Sequence, residues 1–206
     1  MIGPLVVGGF LIREERLGEL ERLGVRDSKV LSAARREELY ASLATLGTRW
    51  SVALSPRTID RRVGREGGGL NRLEAEAFAR IVRRTRPARA HLDACDPVAA
   101  RFGRLVARLS GTEATVLAQH HADRDVPVVS AASIVAKVRR DRAVGRLRAR
   151  LGDGLGSGYP SDTRTRAFLA AYLEGEAAPA PWLRRSWATT ETLMPKPPRP
   201  TLERYA

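Results

Sequence analysis

Apolar residues run almost unbroken from Ile2 to Ile12, starting with Gly-Pro and continuing through Val6, Val7, Phe10 and Leu11. That pattern predicts a strand covered on both faces. Arg49-Trp-Ser-Val-Ala-Leu54 alternates with period two and predicts a second strand, and Ser55-Pro56 then supplies an N-cap and a first-turn proline, so a helix follows. Shorter strands are predicted at Ala88 to Ala94 and at Glu113 to Ala118. Apolar spacing of three and four predicts helices over Ser32 to Thr45, Leu70 to Arg86, Val129 to Leu151 and Ser161 to Leu173, with a helix-compatible face over Pro97 to Leu109. Alternating strands and helices predict an α/β domain, helices packed on a central sheet, with the strand order left open. From about Ser161 onward the pattern is helical and contains no convincing strand.

A chain of 206 residues fits one domain with a full core better than two small ones. We place that domain at 1–187 and a tail at 188–206, because Pro195-Lys-Pro-Pro-Arg-Pro200 is too proline-rich for helix or sheet. Lysine and arginine number 36 against 23 acidic residues, a net charge of +13, which points to a polyanionic partner. The longest apolar stretch is far short of the roughly 20 residues a membrane helix needs, so no membrane partner is expected. With Cys95 the only cysteine, and no secretory pattern at the N-terminus, a reducing cytoplasm is the expected compartment.

Several features carry two readings. His91, His120 and His121 with Cys95 match no familiar zinc spacing. The glycines between Gly64 and Asn71 lack the Gly-Lys-Ser/Thr of a phosphate loop and read as a helix-entry loop. Lys137, Arg139, Arg140, Arg142, Arg146, Arg148 and Arg150, opposed only by Asp141, make a basic helix that either tracks a phosphate backbone or is a solvated face.

Four segments are more specific in combination: Gly24-Val-Arg-Asp-Ser-Lys29, Leu92-Asp-Ala-Cys-Asp96, Ala122-Asp123 leading into Val128-Val-Ser-Ala-Ala-Ser-Ile-Val-Ala-Lys137, and Gly156-Ser-Gly-Tyr-Pro-Ser161. With the Ile2-Gly-Pro-Leu-Val-Val7 opening, their types and order resemble ribonuclease HII, the type 2 ribonuclease H family, from Ile2 to about Trp187. The Arg185-Ser-Trp187 ending is more similar to archaeal members. The resemblance implies a ribonuclease H-like central mixed sheet flanked by helices. It also implies a monomeric endonuclease that cuts the RNA strand of RNA–DNA hybrids and nicks duplex DNA at embedded ribonucleotides with Mg2+ or Mn2+.

The same resemblance assigns residues. Asp93 matches the metal-bridging aspartate and Asp123 the last carboxylate, so both are expected to be catalytic and to hold metal. Ser28, Lys29, Ser130 and Lys137 are expected to contact or organise substrate phosphate, with Asp27 shaping the site. Tyr159 matches the tyrosine that stacks on the deoxyribose beside the ribonucleotide. Each has a plainer reading: Asp96 and Asp123 as capping or loop aspartates, Ser28 and Lys29 as a turn, Tyr159 as a core side chain.

The family's other two carboxylates come from an Asp-Glu-x-Gly-Arg-Gly-Pro segment upstream of the Ile-Gly-Pro strand, and these 206 residues hold no such segment. The expectations are a missing first strand, exposed edges on its neighbours, weak metal binding and poor cleavage. Met1 is then read as an internal methionine of a longer product. The rival expectation is a non-catalytic hybrid-binding protein derived from the enzyme.

Overall fold

A computed structural model describes residues 1–25, 31–63, 69–175 and 180–194. The chain begins with β1 (Leu5–Leu11), passes through α1 (Leu17–Arg22) and α2 (Ala33–Leu46), and returns in β2 (Thr48–Leu54). β2 pairs antiparallel with β1, from Leu5 opposite Leu54 to Leu11 opposite Thr48. Then come α3 (Pro56–Arg62), α4 (Gly69–Thr85), β3 (Arg89–Asp93), α5 (Ala99–Ser110) and β4 (Thr115–Gln119). β4 pairs parallel with β3, the right order for a strand–helix–strand unit. The chain ends in α6 (Ala122–Asp125), α7 (Pro127–Leu151), α8 (Thr163–Gly175) and α9 (Ala188–Leu193).

Local sequence explains where helices start. The Ser32 hydroxyl accepts the Arg35 backbone N–H at the head of α2, and the Ser55 hydroxyl accepts that of Thr58 at the head of α3, where Pro56 occupies the first turn. The core is organised around α7. Its Ala131, Ile134, Val135 and Val138 pack against Leu20, Leu39 and Leu43, while Phe102, Val106, Ala75 and Leu92 fill the layer between β3 and the helices α4 and α5. Burial of a side chain such as Ile134 or Phe102 stabilises by about 1.5–3 kcal/mol. β1 lies tight on α7 because residue 8 has no side chain: a Cβ there would sit 2.1 Å from the Ala132 carbonyl oxygen.

The fold is mixed α/β, as expected, with its sheet in two pieces. Among the described residues no ladder joins β1 to β3. A cavity of about 740 Å³ separates them, lined by β1 and β3 along their whole lengths, by Phe78 and Ile81 of α4, and by Ala132, Ser133 and Ala136 of α7.

Some boundaries move. The strand predicted from Ile2 begins at Leu5, because Ile2 bridges instead to Leu183 in the C-terminal part, where no strand contact was expected. Residues 188–193, assigned to the tail, form α9, and Thr190 in it is fully buried. The proline-rich residues 195–206 lie outside the described residues.

Candidate active site

Asp93 ends β3, and the parallel register sets it beside Gln119, the last residue of β4. The chain then turns at His121, which takes a left-handed conformation with φ 59°, and enters α6. The Asp93 Oδ1 accepts the backbone N–H of Ala122 at 3.1 Å, so the end of β3 is tied to the residue before Asp123. Asp123 is 5% exposed, and both aspartates line the cavity between the half-sheets. They stand at the carboxyl ends of parallel strands, where open α/β sheets place their ligands.

Ser130 supports this corner from behind. Its hydroxyl donates to the Asp123 carbonyl oxygen at 2.7 Å, and the residue is 1% exposed. It does not itself line the cavity. Lys137, one turn past Ser133 on α7, donates from Nζ to the Ser133 hydroxyl at 3.3 Å, and Ser133 lines the cavity.

Glu74 of α4 and Cys95 also line the cavity, and sequence reasoning assigned neither. Burial raises the Glu74 carboxyl above its ordinary value, against the pull of the Cys95 contact and of Arg184. Cys95 is exposed as a residue, yet its thiol sits in a poorly solvated niche beside Glu74 and Asp93 and is pushed up to about 12. It is therefore a thiol, not a thiolate, at neutral pH. Glu74 lies in Leu73-Glu-Ala-Glu76, where an acidic residue on a helix carries no distinguishing signal.

Carboxylate oxygens are the right kind of donor for Mg2+ or Mn2+. In number they fall short: among the described residues no group of three or more His, Cys, Asp or Glu side chains is placed to hold a metal ion. The charges of Asp93 and Asp123 together would balance one divalent ion.

The structure divides the basic helix. Arg140 is 6% exposed, and Arg142 pairs with Glu37 at 2.6 Å. Arg139, Arg146, Arg148 and Arg150 remain exposed. Asp96 takes its plainer reading, accepting the Val98 backbone N–H at 2.8 Å ahead of α5 and pairing with Arg101.

Tyr159 does not line the cavity, so it is not brought together with the aspartates there. It stands on the loop before α8, half-buried, with the Arg140 guanidinium 3.6 Å from its ring centroid. Arg184 connects the two regions, since its charge acts on Arg140, Tyr159, Glu74 and Asp60; burial holds its guanidinium down to about 10. The loop is pinned by Asp162, which accepts the Ser157 backbone N–H at 2.6 Å. That bond, a side-chain bond to Ser157 and the Arg164 backbone N–H hold the Asp162 carboxyl down to about 2. Asp27, Ser28 and Lys29 lie outside the described residues.

Comparison with known proteins places the whole arrangement. The family model described as Ribonuclease HII matches residues 1–190. The chain is 43% identical over 188 residues to ribonuclease HII of Cenarchaeum symbiosum, covering 91% of this chain and 89% of that one. It is 40% identical over 194 residues to that of Methanocella arvoryzae, covering 94% and 86%. A chain in the structure of the PCNA:RNase HII complex from Archaeoglobus fulgidus superposes with a TM-score of 0.83 at 37% identity, covering 95% of this chain and 92% of that one.

Proposed function

The chain belongs to the ribonuclease HII family, endonucleases that act on RNA–DNA hybrids, and we propose that Asp93 and Asp123 are the catalytic carboxylates with which it nicks a strand at a ribonucleotide. The observation that carries this reading is the Asp93 Oδ1 to Ala122 N–H bond, which ties both aspartates to one end of one cavity. A phosphodiester gains negative charge in its transition state, and a divalent ion on those oxygens would offset it and activate water. Asp93 and Asp123 would hold that ion, and Ser130 keeps Asp123 in place. Tyr159 would lay its ring on the sugar beside the ribonucleotide, while Lys137, Ser28 and Lys29 contact phosphate.

Two carboxylates are half the family's set, so the reaction of this chain is slow. The test is a strand-cleavage assay on a duplex with one embedded ribonucleotide, with Mg2+ and with Mn2+, beside Asp93→Asn and Asp123→Asn. We expect salt-dependent binding by all three proteins and slow, metal-dependent nicking by the unsubstituted chain alone. Full activity in either variant overturns that residue's assignment.

The absence of a three-group metal cluster among the described residues favours a second reading, a hybrid-binding protein without catalysis. Binding that persists with no metal-dependent product would support it over the first.

A further inference from the structure

Arg140 is the one arginine of the basic helix that is buried, at 6% exposure, and burying a guanidinium is costly unless its surroundings use it. Its Nη1 donates to the Ser157 carbonyl oxygen at 2.7 Å and to Asp141 Oδ1 at 3.1 Å. Its Cζ lies 3.6 Å from the centroid of the Tyr159 ring, well inside stacking distance. Its Nη2 is buried and makes no hydrogen bond. One planar group thus holds the backbone of residue 157 and the ring of residue 159 together.

The intervening residue permits this approach. Gly158 has φ +75°, and a Cβ there would stand 3.0 Å from the Arg140 Nη2. The Gly158 N–H donates to the Thr165 hydroxyl at 2.9 Å, so the loop is fixed from the α8 side as well as from α7. A ring seated on a guanidinium has its tilt set by that plane, and a lysine ammonium, a point charge without a face, cannot set it.

We propose that Arg140 is a positioning residue that fixes the orientation of the Tyr159 ring and thereby sets how well the protein separates a duplex with one embedded ribonucleotide, which offers a deoxyribose beside it, from an RNA–DNA hybrid, which offers a ribose there. This rests on the reading of Tyr159 as the sugar contact. Being buried, Arg140 does not itself bind phosphate, so its loss alters selection and not general affinity for nucleic acid.

The test uses the full 206-residue chain, unsubstituted and as Arg140→Lys, Arg140→Met and Tyr159→Ala. Arg140→Met keeps the volume without a buried charge, so one Arg140 variant survives if the lysine form does not fold. Affinities for the two duplexes are measured by fluorescence anisotropy at one salt concentration. The proteins are also labelled with 3-fluorotyrosine for fluorine NMR, the Tyr159 line being identified by its loss in Tyr159→Phe. Both Arg140 variants are expected to lower the affinity ratio about fivefold, to leave binding of the RNA–DNA hybrid unchanged, and to move the Tyr159 line alone among the tyrosines.

Equal loss of affinity for both duplexes, or an unmoved Tyr159 line, overturns the inference. So does an unchanged ratio in the Arg140 variants beside a collapsed one in Tyr159→Ala. An unchanged ratio in Tyr159→Ala overturns the sugar-contact reading first, and the selectivity role of Arg140 goes with it.

Discussion

The Oδ1 of Asp93 receives the backbone N–H of Ala122 at 3.1 Å across a gap of 29 residues in sequence. A strand end and a helix start are thereby held as one corner, which brings Asp123 to the same cavity. Asparagine at position 93 keeps a carbonyl oxygen for that bond while removing the charge. Asp93→Asn should therefore fold as the unsubstituted chain does and lose Mn2+ binding, read by electron paramagnetic resonance titration, and Asp123→Asn should do the same. Unchanged Mn2+ affinity in both would remove the aspartates from any metal site.

Ser130 is a buried hydroxyl with one strong partner, the Asp123 carbonyl oxygen at 2.7 Å. Ser130→Ala leaves that oxygen without its side-chain donor and should cost about 1 kcal/mol. In a chain of this size that is a fall of about 2–4 °C in Tm, measured by calorimetry. A wild-type midpoint would show the bond to be energetically idle.

Two glycines should respond in opposite directions. Gly8→Ala drives a methyl group against the Ala132 carbonyl and the Ala136 amide of α7, and should destabilise by at least about 1–3 kcal/mol. Gly145 lies inside α7 with nothing within 4 Å of an added Cβ, so Gly145→Ala should stabilise by up to about 1 kcal/mol. Urea denaturation of both variants decides whether β1 packs on α7 as closely as described.

Asp162 gives the loop of Tyr159 a pH dependence. Its carboxyl is held at about 2 in the folded protein against an ordinary 3.8, so the stability it contributes is complete above that ordinary value and disappears as pH falls through 2. The difference in urea midpoint between the unsubstituted chain and Asp162→Asn should be constant above about pH 5 and shrink towards zero near pH 2. A difference that grows on acidification would contradict the hydrogen bonds assigned to this carboxylate.

The regular parts of this fold were legible because their signals are local. The cap at Ser55, the period-two run ending at Leu54 and the apolar spacing of α7 each lie within a few neighbouring residues. The motifs around Asp93 and Asp123 single the two out as candidates. The reason they meet, a parallel pairing of β3 with β4 and one bond across the turn, is not written in either motif. Glu74 beside the cavity and Arg140 against Tyr159 were not foreseen for the same reason. Among the acidic residues of α4 and the arginines of α7 they look like their neighbours, and only tertiary packing buries one beside the cavity and the other beneath a tyrosine. The short helix over 188–193 escaped because so little of it is apolar; the burial of Thr190 comes from what packs around it.

The divided sheet has a colloidal consequence. Among the described residues each of the four strands pairs on one side alone, so every molecule carries unpaired edges onto which a stranger's extended backbone can anneal. A net charge of +13 keeps copies apart in dilute buffer. At about 1 M salt that repulsion reaches only about 3 Å, and the safeguard against edge-to-edge growth is gone. Concentrated brine, which loosens a cationic protein from nucleic acid, is thus the condition in which this one would begin to stick to itself.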